Sequence, residues 1–400
     1  MNPSCARHLP RLRPLPPSLR ACIAWSGVAA AAIVAWALML PYVPEDAVIF
    51  NMPWYEHAVR TGPIAVFAAP WSNYTPPYLY VLAALAPLHA ILGAFAAVKL
   101  AAVLGTVLLV AACRQLLHSL DVPRAGPIAC AVAALPSVAL NAGALAQADA
   151  WVTAPVVMAL AAAVDRRHRA MLAWCGVALS IKLQALLIAP FVLGLLIARR
   201  VPLRRWPIAP AATLAMLAPA WLLGWPLGDL LTIYARQGGT FDDLSRNAPN
   251  VWMVAQALGL RDPSLAGLAL AAAAGAGATL VARMSADAAR LTGPVLLRYA
   301  LLAPLLTAGL LPRMHERYFF AADVIALILM AVEPTRRTAA IAAAVQAGST
   351  LAIVGYLASD GLWAALGGLL MIGATVMVAR DLWPAAAAND NPLPLRPLPA

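Results

Sequence analysis

Long apolar stretches with few charges recur along this chain, separated by short segments in which arginines, carboxylates, prolines and aromatics are concentrated. The stretches fall at about 21–40, 95–113, 126–146, 149–164, 170–198, 206–227, 264–282, 294–311, 318–333, 338–357 and 361–379, each near the ~20 residues that an α-helix needs to cross a bilayer. The 170–198 run is long enough for two short spans with a turn near Lys182. A further apolar stretch at 76–92, PPYLYVLAALAPLHAIL, reads as an interfacial helix. The pattern predicts an all-α, polytopic membrane protein of about 12 transmembrane helices, with a range of about 10–13.

Composition supports that class. Of 400 residues, 63% are hydrophobic and 11% charged, where a soluble domain needs roughly a quarter of its residues charged. A cytosolic enzyme, a secreted disulfide scaffold and a disordered protein are all excluded. Cys5, Cys22, Cys113, Cys130 and Cys175 are scattered without a CxxC pair, so they read as small buried hydrophobes rather than disulfide or zinc partners. Residues 1–20 form a basic cytoplasmic N-terminus, and the apolar run that follows is longer than the roughly 7–15-residue core of a signal peptide. An integral membrane domain over 21–380, with a first external loop at 42–94, leads to a Pro-rich cytoplasmic tail at 381–400.

The net charge of +11 sets orientation. With 76–92 left uncrossed, Arg114, Arg124, the RRHR run at 166–169, the RRVPLRR run at 199–205, Arg283, Arg290, Arg336, Arg337 and Arg380 share one side. The positive-inside rule makes that side cytoplasmic. If 76–92 crossed, those clusters would face outward. Membrane lipids with acidic headgroups, and no nucleic acid, are therefore the partners of the charge.

The remaining polar groups gather on the external side in four clusters. Glu45 and Asp46 follow the first span and precede a dense set of aromatics, including Trp54, Tyr55, Trp71 and Tyr74. They read either as a solvated helix end with an interfacial aromatic belt, or with Asp46 as a general base at the water boundary. In NAGALAQADAW, Asn141, Gln147 and Asp149 sit where polar groups are costly unless paired; helix caps and interhelical hydrogen bonds are the plain explanation. In IKLQ, Lys182 and Gln184 interrupt an apolar run. All but two of the 28 basic residues are arginine, so a buried lysine implies that a compact charge is wanted; a structural ion pair with Asp149 and a ligand-binding role remain equal readings. Lys99, the other lysine, lies nearer a span end and is explained by snorkelling. LPRMHERYFF brings Arg313, His315, Glu316, Arg317 and Tyr318 to the external side, where two arginines are misplaced unless they salt-bridge or bind an anion such as a lipid phosphate.

Taken in order, an acid after the first span, Y-x-P-P-Y, N-x(5)-Q-x-D, K-x-Q, N-A-P-N-x-W and M-H-E-R-Y resemble the GT-C glycosyltransferases, especially bacterial membrane proteins related to the GPI mannosyltransferases. The resemblance covers roughly residues 40–330. It implies a bacterial inner-membrane enzyme, with both termini cytoplasmic and its site facing the periplasm, that uses a polyprenyl-phosphate-linked sugar donor. Asp46 is then the catalytic base, and Tyr74, Asn141, Gln147, Asp149, Lys182, Gln184, Asn250, Arg313, His315, Glu316, Arg317 and Tyr318 line the donor site. Many members carry W-G-Q-x-D where this chain has Leu145, Ala146 and Gln147. Glu45-Asp46 replaces Asp-x-Asp, so no cofactor is required and a divalent metal, though compatible, is unsupported. A secondary transporter or lipid flippase is the alternative; it places charges near the midplane and commonly shows inverted repeats, whereas these charges lie toward one side and no repeat is visible.

Overall fold

A computed structural model describes residues 17–237 and 243–383. Arg7, Arg11 and Arg13 of the expected basic N-terminus, Asp242, and the Pro-rich stretch from 384 onward lie outside the described residues. The chain forms an all-α bundle. Helices α1 (Pro17–Met39), α2 (Met52–Thr61), α3 (Pro76–Leu85) and α4 (His89–Ser119) lead to a bent segment of α5 (Ala125–Ala131) and α6 (Pro136–Val138), extended by a π-turn at Ala139–Ala144. Then follow α7 (Asp149–Val164), α8 (His168–Ile181), a 3-10 turn at Leu183–Ile188, α9 (Ala189–Ala198), α10 (Ile208–Leu222) and α11 (Leu227–Gln237). After strand β1 (Ser245–Arg246) come α12 (Val251–Ala257), α13 (Ala266–Ala286) and α14 (Gly293–Leu310). Strand β2 (Met314–His315), α15 (Phe320–Val332), α16 (Arg336–Leu357) and α17 (Gly361–Leu382) complete it.

Among the described residues, five helical segments are long and apolar enough to cross a membrane, Pro76–Ser119, Pro263–Ala286, Gly293–Leu310, Arg336–Leu357 and Gly361–Leu382. The pair Ala125–Ala134 and Pro136–Ala144, bent by 55°, makes a sixth. Shorter apolar helices occupy Ser26–Met39, Asp149–Val164, Leu183–Ala198 and Phe320–Val332. The protein is a multi-pass membrane protein.

The breaks have local causes. A continuous helix over Pro76–Ser119 would measure about 66 Å at ~1.5 Å per residue, twice the ~30 Å of bilayer hydrocarbon. The chain leaves helical geometry at Gly93 (φ 65, ψ 175), which ends the short helix expected over 76–92. Pro136 holds Leu135 extended (φ −61, ψ 130) and bends the next segment there. The 170–198 run turns where the sequence places its lysine: Lys182 is fully extended (φ −160, ψ 141) between α8 and the following 3-10 turn.

The arginine-rich turns gather at the end of the bundle opposite Asp149. Arg199 reaches the carbonyl of Ala163 at the far end of α7. Arg337 Nε binds Asp381 at 2.6 Å, and Arg283 Nε donates to the carbonyl of Leu382 at 3.1 Å. Close helix pairs rest on small residues, as is usual where lipid tails supply no hydrophobic drive. A Cβ on Gly367 would stand 2.5 Å from the Gly348 carbonyl, so α16 and α17 touch through their backbones.

Gly367→Ala should therefore lower stability by about 1–3 kcal/mol, read as a reduced Tm in detergent. Gly373→Ala, with open space around it, should leave Tm unchanged or raise it, because alanine favours helix.

Candidate functional site

Asp149 begins α7 with no solvent exposure. A buried carboxylate is costly unless paired and hydrogen-bonded, and three groups from distant segments meet it. Lys182 Nζ lies 2.8 Å from Oδ1. Asn141 Nδ2 donates to Oδ2 at 2.8 Å. Arg317 Nε stands 3.8 Å from the same oxygen. Lys182 also sits over the rings of Tyr74 and Tyr318, at 5.8 and 5.7 Å from their centroids, where ring faces favour a cation.

Arg317 joins this pair to two further acids. Its Nη1 contacts Glu316 Oε1 at 2.6 Å and Asp46 Oδ2 at 3.3 Å. Gln147 Nε2 donates to the same Asp46 oxygen at 2.9 Å. Asp46 precedes the π-turn Ala47–Asn51, and 28% of its side chain is exposed, against 0% for Asp149. That difference separates a carboxylate able to meet a substrate from one that is sealed. His315 Nδ1 is 3.8 Å from Glu316 Oε2. Burial, with the charges of Arg317, Lys182 and Arg246 around it, holds the His315 imidazole far below its ordinary range, so it is neutral and the contact is not an ion pair.

The backbone presenting these groups is propped from outside the cluster. Ala146, just before Gln147, has φ 53, a left-handed conformation that costs a non-glycine residue about 1–3 kcal/mol. Asn51 Nδ2 donates to the Ala146 carbonyl at 3.3 Å. Lys99 does not snorkel as expected: it is 5% exposed and donates to the carbonyls of Gly143 and Ala144 at 2.6 and 2.7 Å. The end of a buried π-turn leaves acceptors that need a donor, and this one is delivered from α4. Where α8 breaks before Lys182, Thr75 Oγ1 donates to the orphaned carbonyl of Ile181 at 2.8 Å. Thr75 and Asn51 carried no sequence signal beyond a polar residue in an aromatic loop.

The other expected site residues divide. Tyr74 and Tyr318 flank Lys182, and Gln184 Nε2 lies 3.5 Å from the Arg317 carbonyl. Arg313 enters through its backbone, in the left-handed region (φ 62) with its N–H donating to the Leu244 carbonyl at 2.9 Å. That bond extends the parallel pairing of β1 with β2, Ser245 against Met314 and Arg246 against His315. Asn250 stands in a structural post instead: its Oδ1 caps α12 by accepting from the Met253 N–H at 3.0 Å, and its Nδ2 donates to the Ala308 carbonyl at 3.3 Å. Among the described residues, no three His, Cys, Asp or Glu side chains are arranged to hold a metal ion. A narrow, mostly apolar crevice lined by Val156, Leu187, Ile188 and Ile325 runs to Gln184 and Tyr318, beside the cluster.

No protein-family model matches the chain, and no curated protein matches it. Its fold is similar to the crystal structure of ArnT from Cupriavidus metallidurans bound to undecaprenyl phosphate. The TM-score is 0.51 over 92% of this chain and 78% of that chain, with 15% sequence identity. At that identity the likeness is one of fold.

Lys182→Met should destabilise the protein by about 3–5 kcal/mol, since it leaves Asp149 buried without its nearest cation. Pairing it with Asp149→Asn should recover most of that loss, a coupling measurable by thermal unfolding of the two single variants and the double.

Proposed function

We propose that the chain is an inverting glycosyltransferase of the GT-C type, moving a sugar, mannose or another hexose, from a polyprenyl-phosphate donor to a periplasmic or lipid-linked acceptor. The observation that carries this reading is Asp46: a partly exposed carboxylate held by Gln147 and Arg317 at the edge of a buried ion cluster, next to an apolar crevice. The fold adds to it, because ArnT, which it resembles, was solved with undecaprenyl phosphate bound. In this reading about 12 helices cross the inner membrane, the arginine-rich end is cytoplasmic, and the ion cluster faces the periplasm.

The chemistry follows from the charges. The crevice toward Ile325 has a free volume of only about 10 Å³, so the prenyl chain enters by parting its apolar walls and brings the donor phosphate to Lys182 and Arg317. The acceptor oxygen attacks the anomeric carbon as the bond from that carbon to the phosphate oxygen breaks. The proton of the acceptor hydroxyl passes to Asp46, and polyprenyl phosphate departs with the bonding electrons. Such a leaving group needs no protonation, so one carboxylate serves where a glycosidase needs two. It does need its charge stabilised in a site of low dielectric, and Lys182 and Arg317 are held in place by Asp149 and Glu316 before any donor arrives. Neutral His315 and the Tyr74 and Tyr318 rings complete the walls.

Transfer of radiolabelled sugar from a panel of polyprenyl-phosphate donors should fall about 10²–10⁴-fold in Asp46→Asn at equal expression, the usual worth of a general base. Undiminished transfer in the variant would remove Asp46 from the chemistry. No transfer by either protein with any donor would overturn the transferase reading in favour of a lipid flippase, which the helix break at Lys182 would also suit.

A further inference from the structure

Beside Asp46, away from the apolar crevice, lies a second cavity of about 380 Å³, within the roughly 300–1,000 Å³ of small-molecule sites. Its walls come from the same stretches that build the ion cluster. Glu45 precedes Asp46, Leu145 precedes the Ala146–Gln147 turn, and Asn247 follows β1 and bridges to His315. Tyr42 closes it from just beyond the first helix, Tyr356 from the last turn of α16, and Ser359 from the turn between α16 and α17. Tyr356 lies within electrostatic reach of Asp46, Glu316, Arg317 and Glu45. Glu45, the residue before Asp46, places the cavity beside the base, and among the described residues its lining shares none with the apolar crevice.

The lining differs in kind from the crevice. One carboxylate, an amide, a hydroxyl and two tyrosines line it, and among the described residues no lysine or arginine does. Tyrosines present flat apolar faces with a polar edge, and carboxylate and amide groups accept hydrogen bonds from vicinal hydroxyls. A phosphate placed there would meet Glu45 with no cation in the wall to offset the repulsion.

We propose that this cavity is the acceptor subsite and that it takes an uncharged saccharide rather than a phosphorylated headgroup. Glu45 and Asn247 bind its hydroxyls, and Tyr42 and Tyr356 pack on its faces. The assignment rests on the transferase reading above: a sugar seated between Tyr42 and Tyr356 turns one hydroxyl toward Asp46, while the donor enters from the crevice.

The test uses the full chain in phosphatidylcholine nanodiscs. Saturation-transfer NMR is recorded with a panel of neutral disaccharides including mannobiose, and with mannose 6-phosphate; binding of undecaprenyl phosphate is measured in parallel. At least one neutral disaccharide should give a signal that falls threefold or more in both Tyr356→Ala and Glu45→Gln, with undecaprenyl phosphate affinity unchanged in either. Retained affinity for that lipid certifies that the variants are folded. Equal signals in variants and native protein, a stronger signal from mannose 6-phosphate, or no signal from any disaccharide while the lipid still binds would each overturn the subsite and leave the donor reading standing. Loss of both ligands from the native protein would overturn both.

Discussion

A carboxylate without any exposure to solvent cannot remain charged alone, and Asp149 is such a group. Much of what is unusual in this bundle can be traced to the partners it requires. Lys182 reaches it because α8 stops and the chain runs extended for one residue. That stop exposes helix carbonyls which Thr75, from the aromatic loop, must cover. Arg317 reaches it from the loop between α14 and α15, whose short pairing with β1 ties down the segment before α12. Asn141 reaches it from a π-turn that follows the bend at Pro136, and Lys99 closes the end of that turn. Three interruptions of regular helix thus converge on one anion.

Convergence of this kind gives electrostatic preorganisation. Lys182 and Arg317 are fixed by acids already present, so in the proposed reaction the donor phosphate meets cations whose side-chain entropy has been spent in folding. The cost is recorded in the backbone, where Ala146 holds a left-handed conformation to aim Gln147 at Asp46. Asp46 alone of the three acids around Arg317 keeps a sizeable exposed fraction, 28%, against 0% and 1% for Asp149 and Glu316. In the proposed reaction that division sets the roles: the sealed acids position the cations, and the open one meets substrate.

The membrane class and most helix positions were legible in the sequence because apolar runs of spanning length leave little choice of structure. The break at Lys182 was legible for the same reason, a charge in a run too long for one span. The ion cluster was readable as four separate polar clusters, and the Asp149–Lys182 pair was among the expected readings. Their union through Arg317 was not, since nothing in linear spacing places residue 317 beside residue 46. Asn250 and Lys99 show the limit most clearly. Each is a polar residue at an apolar boundary, yet Lys99 closes a turn 44 residues on, and Asn250, besides capping its own helix through the Met253 N–H, donates to a carbonyl 58 residues on. The five long spans and the bent sixth were expected among about 12; the shorter helices, such as α7 and α15, begin at the cluster itself, where regular helix gives way to the turns that carry the charged groups.

In the proposed function Lys182 and Arg317 form a prepared seat for a lipid phosphate, with the prenyl chain entering the crevice beside α7 and α15. Cryo-electron microscopy of the full chain with undecaprenyl phosphate added tests it directly. Phosphate density is expected within hydrogen-bond reach of Lys182 Nζ and the Arg317 guanidinium, with chain density continuing past Tyr318 toward Ile325. Phosphate density at the arginine-rich end of the bundle, or an empty crevice at saturating lipid, would contradict it.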